Sequence, residues 1–229
     1  MSLVHEQARP PIGRYRFATS VAHPGDQDDP GDLGDIRLAR VAAAYRGFLE
    51  SLGLDLTDPD LAGTDYRVAR AYREMLGGLE PSAEPTLTTF PNTEGYAGIV
   101  SVTNIPFYSL CAHHFLPFFG TAHVGYVPGD RLVGLSKMAR VVDRYARRPQ
   151  LQERLTEQVA ALLDDRLGSA GVIVSVEARH LCMEMRGVSR PGVITTTMAV
   201  RGTFKDTSLQ QQFLGQLRGG HAAPRSGEG

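Results

Sequence analysis

The chain has 229 residues, 42% hydrophobic and 21% charged, with a formal net charge of −1. That length supports one substantial core, and the near-zero charge excludes a surface built throughout for nucleic acid. No apolar run approaches the ~18 residues of a membrane span, and the opening "MSLVHEQARPPIGRYRF" has no apolar signal segment, so the expectation is a cytoplasmic globular protein with no nucleic-acid and no membrane partner.

Residues 1–34, with "HPGDQDDPGDLGD", are rich in Pro, Gly and Asp without apolar periodicity and are expected to form a flexible tail. A helical segment is expected over 35–90. Leu38, Val41, Ala42, Tyr45, Phe48, Leu49 and Leu52 repeat as one helix face, which Gly53 stops. A second helix fits "TDYRVARAYREMLGGL", with Thr64 as its N-cap and Val68, Ala69, Tyr72, Met75 and Leu76 on its apolar face. From about residue 91 to 215 the pattern changes to that of a catalytic domain. "GIVSVTNIPF", "GTAHVGYVPGD", "GVIVSVEARHLC" and "ITTTMAVRGTF" read as strands, the third alternating strictly. "LSKMARVVDRYA" and "PQLQERLTEQVAALLDDRLG" read as helices between the second and third strands, the latter with Gly168 as its C-cap. Residues 216–229 read as a second flexible tail. The predicted class is α+β, an antiparallel sheet with a helix pair on one face.

The chain has only two cysteines and seven histidines, and each cysteine lies in a short cluster with histidine, "LCAHHF" and "RHLCMEMRG". Two thiols in a cytosolic chain of this size are more readily metal ligands than a disulfide. Cys111 and His114 have the C-x-x-H spacing that lets a thiolate and an imidazole converge from a tight turn. Period-2 alternation puts His180 and Cys182 on one face of the third strand, so Cys182 is the candidate third ligand. Two Cys and one His leave a fourth tetrahedral position of Zn2+ open, the arrangement of a catalytic site. His113 and His180 then stand beside the metal as acid–base candidates. An isolated C-x-x-H also fits a buried thiol next to incidental imidazoles. What favours a metal is that both clusters use the chain's only cysteines.

"CAHH", "GLSKMARVV", "RRPQLQERLTEQ", "RHLCMEMRG" and "TTTM" together resemble the GTP cyclohydrolase I family over roughly residues 35–215. These are tunnelling-fold enzymes that open the guanine imidazole ring of GTP and reclose it as 7,8-dihydroneopterin triphosphate with loss of formate. The resemblance implies a toroidal homodecamer with sites at subunit interfaces and GTP as substrate. It matches Cys111, His114 and Cys182 to the zinc ligands and His113 and His180 to the proton-handling histidines. Glu153, with Gln152 before it, matches the carboxylate that anchors guanine. Ser136, Lys137, Arg140, Arg186 and Arg67 match groups around the ribose and triphosphate. These types suit their tasks: one carboxylate accepts both guanine N1–H and N2–H, and several cations suit a triphosphate. Lys137 is one of only two lysines among 24 basic residues, in keeping with a site that needs a compact point charge.

Two departures stand out. Ala112 replaces the glutamate usual in the family's Cys-Glu-His-His motif, and Thr103 and Asn104 stand where an Arg-Asp pair is common. They keep open a catalytically weak, purine-nucleotide-binding regulatory or scaffold relative as the alternative to an enzyme, while the retained ligands and both extra histidines favour the enzyme.

Overall fold

The computed structural model describes residues 33–219, so the two tails expected at the ends lie almost wholly outside the described residues. Two helices, α1 (Leu33–Ser51) and α2 (Thr64–Met75), form an N-terminal hairpin. α1 buries Ala42 and Leu49, and the chain leaves it through Gly53 at φ 78°. The expected N-cap Thr64 is instead the first helical residue of α2. Gly63 precedes it at φ 72°, a left-handed conformation that glycine adopts without a Cβ clash and threonine does not. An Arg46–Asp65 ion pair of 2.6 Å, with Asp65 buried, joins the two helices.

Short 3-10 turns at Gly77–Leu79 and Pro81–Ala83 lead into the second part of the chain. The first is clamped to the end of α3 (Leu135–Ala146). The Gly78 carbonyl accepts from the guanidinium groups of Arg144 and Arg148, and Gly78 N–H donates to the Arg147 carbonyl at 3.0 Å. A Cβ on Gly78 would stand 2.5 Å from the Arg144 carbonyl oxygen and 2.6 Å from that of Arg147. Since backbone on both sides must shift, Gly78→Ala should destabilise by about 1–3 kcal/mol, the usual cost of overpacking. Urea unfolding measures this, and an unchanged midpoint would show that the clamp yields freely.

The main sheet has the order β5-β2-β3-β6-β7, with β2 (Val100–Cys111), β3 (Pro117–Val127), β5 (Pro149–Gln150), β6 (Gly171–His180) and β7 (Thr195–Gly202). All its pairings are antiparallel except β2 with β5. β1 (Thr89–Pro91) and β4 (Arg131–Val133) form a separate two-stranded ribbon. α3 and α4 (Gln152–Leu167) cover one face. Met138, Val141, Leu155, Val159 and Leu163 there meet Phe107, Phe118, Val124, Val172, Val174 and Val176 of the sheet. α4 ends at Gly168, φ 58°, the expected C-cap.

Strand β6 departs from the alternating pattern expected of it, because Val172, Ile173 and Val174 are all fully buried. Ile173 points away from the α3–α4 face and packs with Ile99, Phe204 and Phe213. Phe213 belongs to α6 (Thr207–Gly219), a helix absent from the expected pattern, part of which was assigned to the C-terminal tail. The helix pair α3–α4 thus covers one face as expected, and α6 adds cover at part of the other. Burying the Phe213 ring contributes about 1.5–3 kcal/mol, and Leu209, Leu214 and Leu217 of the same helix add their packing against this cluster.

This topology gathers three strand ends. β2 and β6 both run antiparallel to β3, so they point the same way, and β5 lies parallel to β2. The ends at Cys111, Gln150 and His180 therefore lie along one edge of the sheet, around the start of β3.

Candidate active site

Cys111 is the last residue of β2 and is buried. The chain turns sharply after it. Phe115 N–H donates back to the Cys111 carbonyl at 2.8 Å, Cys111 N–H to the Leu116 carbonyl at 2.9 Å, and Phe115 sits at φ 54°. Ala112 N–H donates to the Gln150 carbonyl, which ties the turn to β5. The Phe115 ring lies 6.4 Å from that of Tyr72 on α2, so the N-terminal hairpin leans on this turn. A cavity of about 730 Å³ between them is lined by Leu38, Val41, Tyr72 and Leu76 as well as Phe115.

The turn brings His114 Nδ1 to 3.9 Å from Cys111 Sγ. Cys182 joins them from the other side, and the ligand atoms of Cys111, His114 and Cys182 all lie within 4.8 Å of one another. Cys182 does not come from a strand as the alternation implied. β6 ends at His180, and Cys182 occupies the one-turn helix α5 (Leu181–Glu184). His180 pairs with Phe118 at the start of β3, so the helical turn that follows carries Cys182 to the end of the sheet where the Cys111 turn lies.

These residues fit a zinc ion. Tetrahedral Zn2+ with bonds of about 2.0–2.3 Å places thiolate and imidazole donors about 3.5 Å apart, close to the observed spacing. Burial and the neighbouring Cys111 sulfur push the Cys182 thiol above its ordinary pKa. A pair of crowded sulfurs is a donor set that a divalent cation stabilises as thiolates.

His113 is adjacent but distinct: its ring centroid is 6.1 Å from that of His114, the rings are nearly perpendicular, and it is exposed. His180 stacks on Phe118 with centroids 4.6 Å apart and ring planes 2° from parallel. Its Nε2 lies 2.8 Å from Gln152 Oε1. Burial holds the His180 imidazole below its ordinary pKa, while the nearby Glu153 carboxylate pulls the other way. Glu153 itself is exposed in the first turn of α4, beside the histidine.

Gln152 differs from its neighbour. The resemblance matches it to the substrate site; it is 2% exposed, and its amide meets the Val176 and Thr195 carbonyls, Thr197 Oγ1 and His180 Nε2. Ser136 and Lys137 lie in the first turn of α3 and Arg140 one turn on, a spacing that aligns them along one side of the helix. Arg186 is exposed just past α5, close enough to favour the Cys182 thiolate. Arg67 folds back on its own loop, bonding Thr64 Oγ1 at 2.6 Å and the Ala62 carbonyl at 2.8 Å. Within one chain it acts as a brace for the start of α2. Phe118 and Thr156 escaped the sequence reading, and Thr197 entered it only as part of "TTTM", because nothing in a single sequence marks a core ring or a β-branched threonine as support for a histidine.

The family model of GTP cyclohydrolase I matches residues 41–218, which takes in both Cys/His clusters and the helices between them. The chain belongs to the GTP cyclohydrolase I family. It is 54% identical over 175 residues to GTP cyclohydrolase 1 of Mycolicibacterium paratuberculosis, covering 76% of this chain and 85% of that one. It is 53% identical over 174 residues to GTP cyclohydrolase 1 of Mycobacterium tuberculosis (strain ATCC 25177 / H37Ra), covering 75% and 86%. The tunnelling fold expected of the family accords with the sheet and its α3–α4 pair. Among the described residues no helix is long and apolar enough to cross a membrane.

Proposed function

We propose that the protein opens the imidazole ring of GTP with release of formate and recloses it to 7,8-dihydroneopterin triphosphate, as a zinc enzyme. One observation carries the reading: the chain's only two cysteines and His114 converge at one end of the sheet with His180 and Glu153 beside them. Cys111, His114 and Cys182 would hold the ion. Zinc bound there supplies Lewis acidity, which makes water chemistry available at neutral pH.

The remaining steps belong to side chains of this chain. Glu153 accepts N1–H and N2–H of the guanine edge as a charge-assisted pair and so places the imidazole ring toward the metal end of the sheet. Lys137, Arg140 and Arg186 neutralise the triphosphate, and Ser136 meets the ribose. Lys137 and Ser136 add their charge and hydroxyl to the positive end of the α3 dipole, which favours phosphate. His113 and His180 move protons to and from the ring nitrogens during opening and reclosure.

Assembly into a homodecamer with sites shared between subunits is part of the same proposal. It is supported by strand β7, which among the described residues pairs only with β6, and by Met185, Val188 and Ile194, all more than half exposed around the Cys182 loop. Arg67 would then serve a neighbouring subunit's site rather than its own.

The test is incubation of zinc-loaded protein with GTP, following formate and pterin absorbance separately. Both should appear, and a protein that binds GTP but releases no formate is the regulatory relative instead. Glu153→Gln should weaken GTP binding at least tenfold while zinc content stays unchanged, because the amide presents a donor to a donor edge. Unchanged GTP affinity would return Glu153 to the solvated face of α4.

A further inference from the structure

We propose that Gln152 is a positioning residue that fixes the tautomer and the plane of His180, and that it takes its own orientation from strands β6 and β7. Gln152 Nε2 lies 3.0 Å from the Val176 carbonyl oxygen, 2.9 Å from that of Thr195 and 3.2 Å from Thr197 Oγ1. Two of these atoms are carbonyl oxygens, which only accept, so the amide must present its NH₂ to them. Turning the amide over would set an oxygen against two oxygens in a buried site, leaving several polar groups unsatisfied.

The threonines agree with this direction. Thr156 Oγ1 donates to the Gln152 backbone carbonyl at 2.9 Å and so has no second hydrogen to give. The 2.6 Å contact between Thr156 and Thr197 hydroxyls must then be Thr197 donating, which leaves Thr197 Oγ1 free to accept from Gln152. The two hydrogens of the Gln152 amide serve three acceptors, the Val176 and Thr195 carbonyls and, by sharing, Thr197 Oγ1.

Gln152 Oε1 therefore faces His180 as an acceptor, and His180 Nε2 must donate across the 2.8 Å contact. In the neutral ring Nε2 carries the hydrogen and Nδ1 the lone pair. Stacking on Phe118 at 4.6 Å holds the ring plane, so hydrogen bond and stack together leave the imidazole one orientation. His180 thus offers Nδ1, and only Nδ1, as its free nitrogen. This accounts for the burial of a residue whose sequence neighbour Glu153 is exposed, and it gives Thr197 of "TTTM" a task beyond strand propensity.

The proposal rests on the cyclohydrolase reading only for the use to which Nδ1 is put, and the test separates the two. Solid-state ¹⁵N spectra of histidine-labelled, zinc-loaded full-length protein report the tautomer, with a His180→Gln difference spectrum assigning the signal. The parent should show Nε2–H. Gln152→Met should show both tautomers and a kcat about 10- to 100-fold lower, the usual cost of losing an orienting partner, with KM for GTP changed less than about threefold. Gln152→Glu keeps an oxygen toward Nε2, and as the neutral acid its O–H takes the place of the amide N–H toward the Val176 and Thr195 carbonyls, so it should retain the parent tautomer and more of the kcat than the Met variant. The parent spectrum carries the test if the Met variant does not fold. Nδ1–H in the parent, an unchanged tautomer in Gln152→Met, or a raised KM with kcat intact would overturn the assignment. The last result would place Gln152 on the substrate. A parent that releases no formate overturns the cyclohydrolase reading and leaves the spectra to decide this one.

Discussion

Cys182→Ser should lower zinc from about one ion per chain to near zero and abolish formate release, since a hydroxyl is a poor replacement for one of three protein ligands. The expectation follows from the packing. Cys182 approaches the turn bearing Cys111 and His114 from a separate element, α5, so its loss leaves only the two ligands of that one turn. Metal analysis and formate assay on the same preparation give both readings. The core does not depend on this sulfur, because Cys182 only packs against its edge, and the circular dichroism spectrum should therefore be that of the parent. Stoichiometric zinc in the variant would remove Cys182 from the ligand set and with it the convergence on which the functional reading stands.

His113→Ala and His180→Ala should behave differently from that variant. Each should keep its zinc while turnover falls by about two to four orders of magnitude, the range for general acid–base groups. The geometry motivates the separation. His114 is the histidine whose ligand atom joins the two sulfurs, whereas His113 is rotated nearly perpendicular to it and His180 is engaged by Gln152 and Phe118. Zinc loss in His113→Ala would show that the adjacent pair had been assigned in the wrong order. A loss of turnover below tenfold in His180→Ala would remove the proton-handling role and leave the ring as packing against Phe118.

Much of the site was legible from local pattern. The C-x-x-H spacing of Cys111 and His114 is a property of one turn, and a turn is specified by a handful of neighbouring residues. The pairing of each cysteine with histidine stood out because the chain uses both types so sparingly. Helix ends were legible where a glycine closes them, at Gly53 and Gly168. They were less so at Thr64, where the left-handed residue before the helix outweighed threonine's capping preference.

What sequence periodicity missed has a common cause. Alternation in β6 reports which residues are apolar, not what packs on either side. That Ile173 is buried as fully as Val172 depends on Phe213 from α6, some forty positions away in the chain. The same period extended one step too far put Cys182 on the strand, because no local signal marks where β6 gives way to α5. Gln152 and Glu153 are adjacent in "LQERL", and no pattern told them apart. Helix geometry turns one inward to Val176, Thr195 and His180 and the other outward beside the same histidine. By itself, then, the sequence determined the family, the candidate ligands and the chemical types at the site. Those are encoded in residue identity and short spacing. Only the tertiary structure decided which side chains meet, because β2, β5 and β6 bring distant segments to one edge and the direction of each hydrogen bond there depends on all its partners at once.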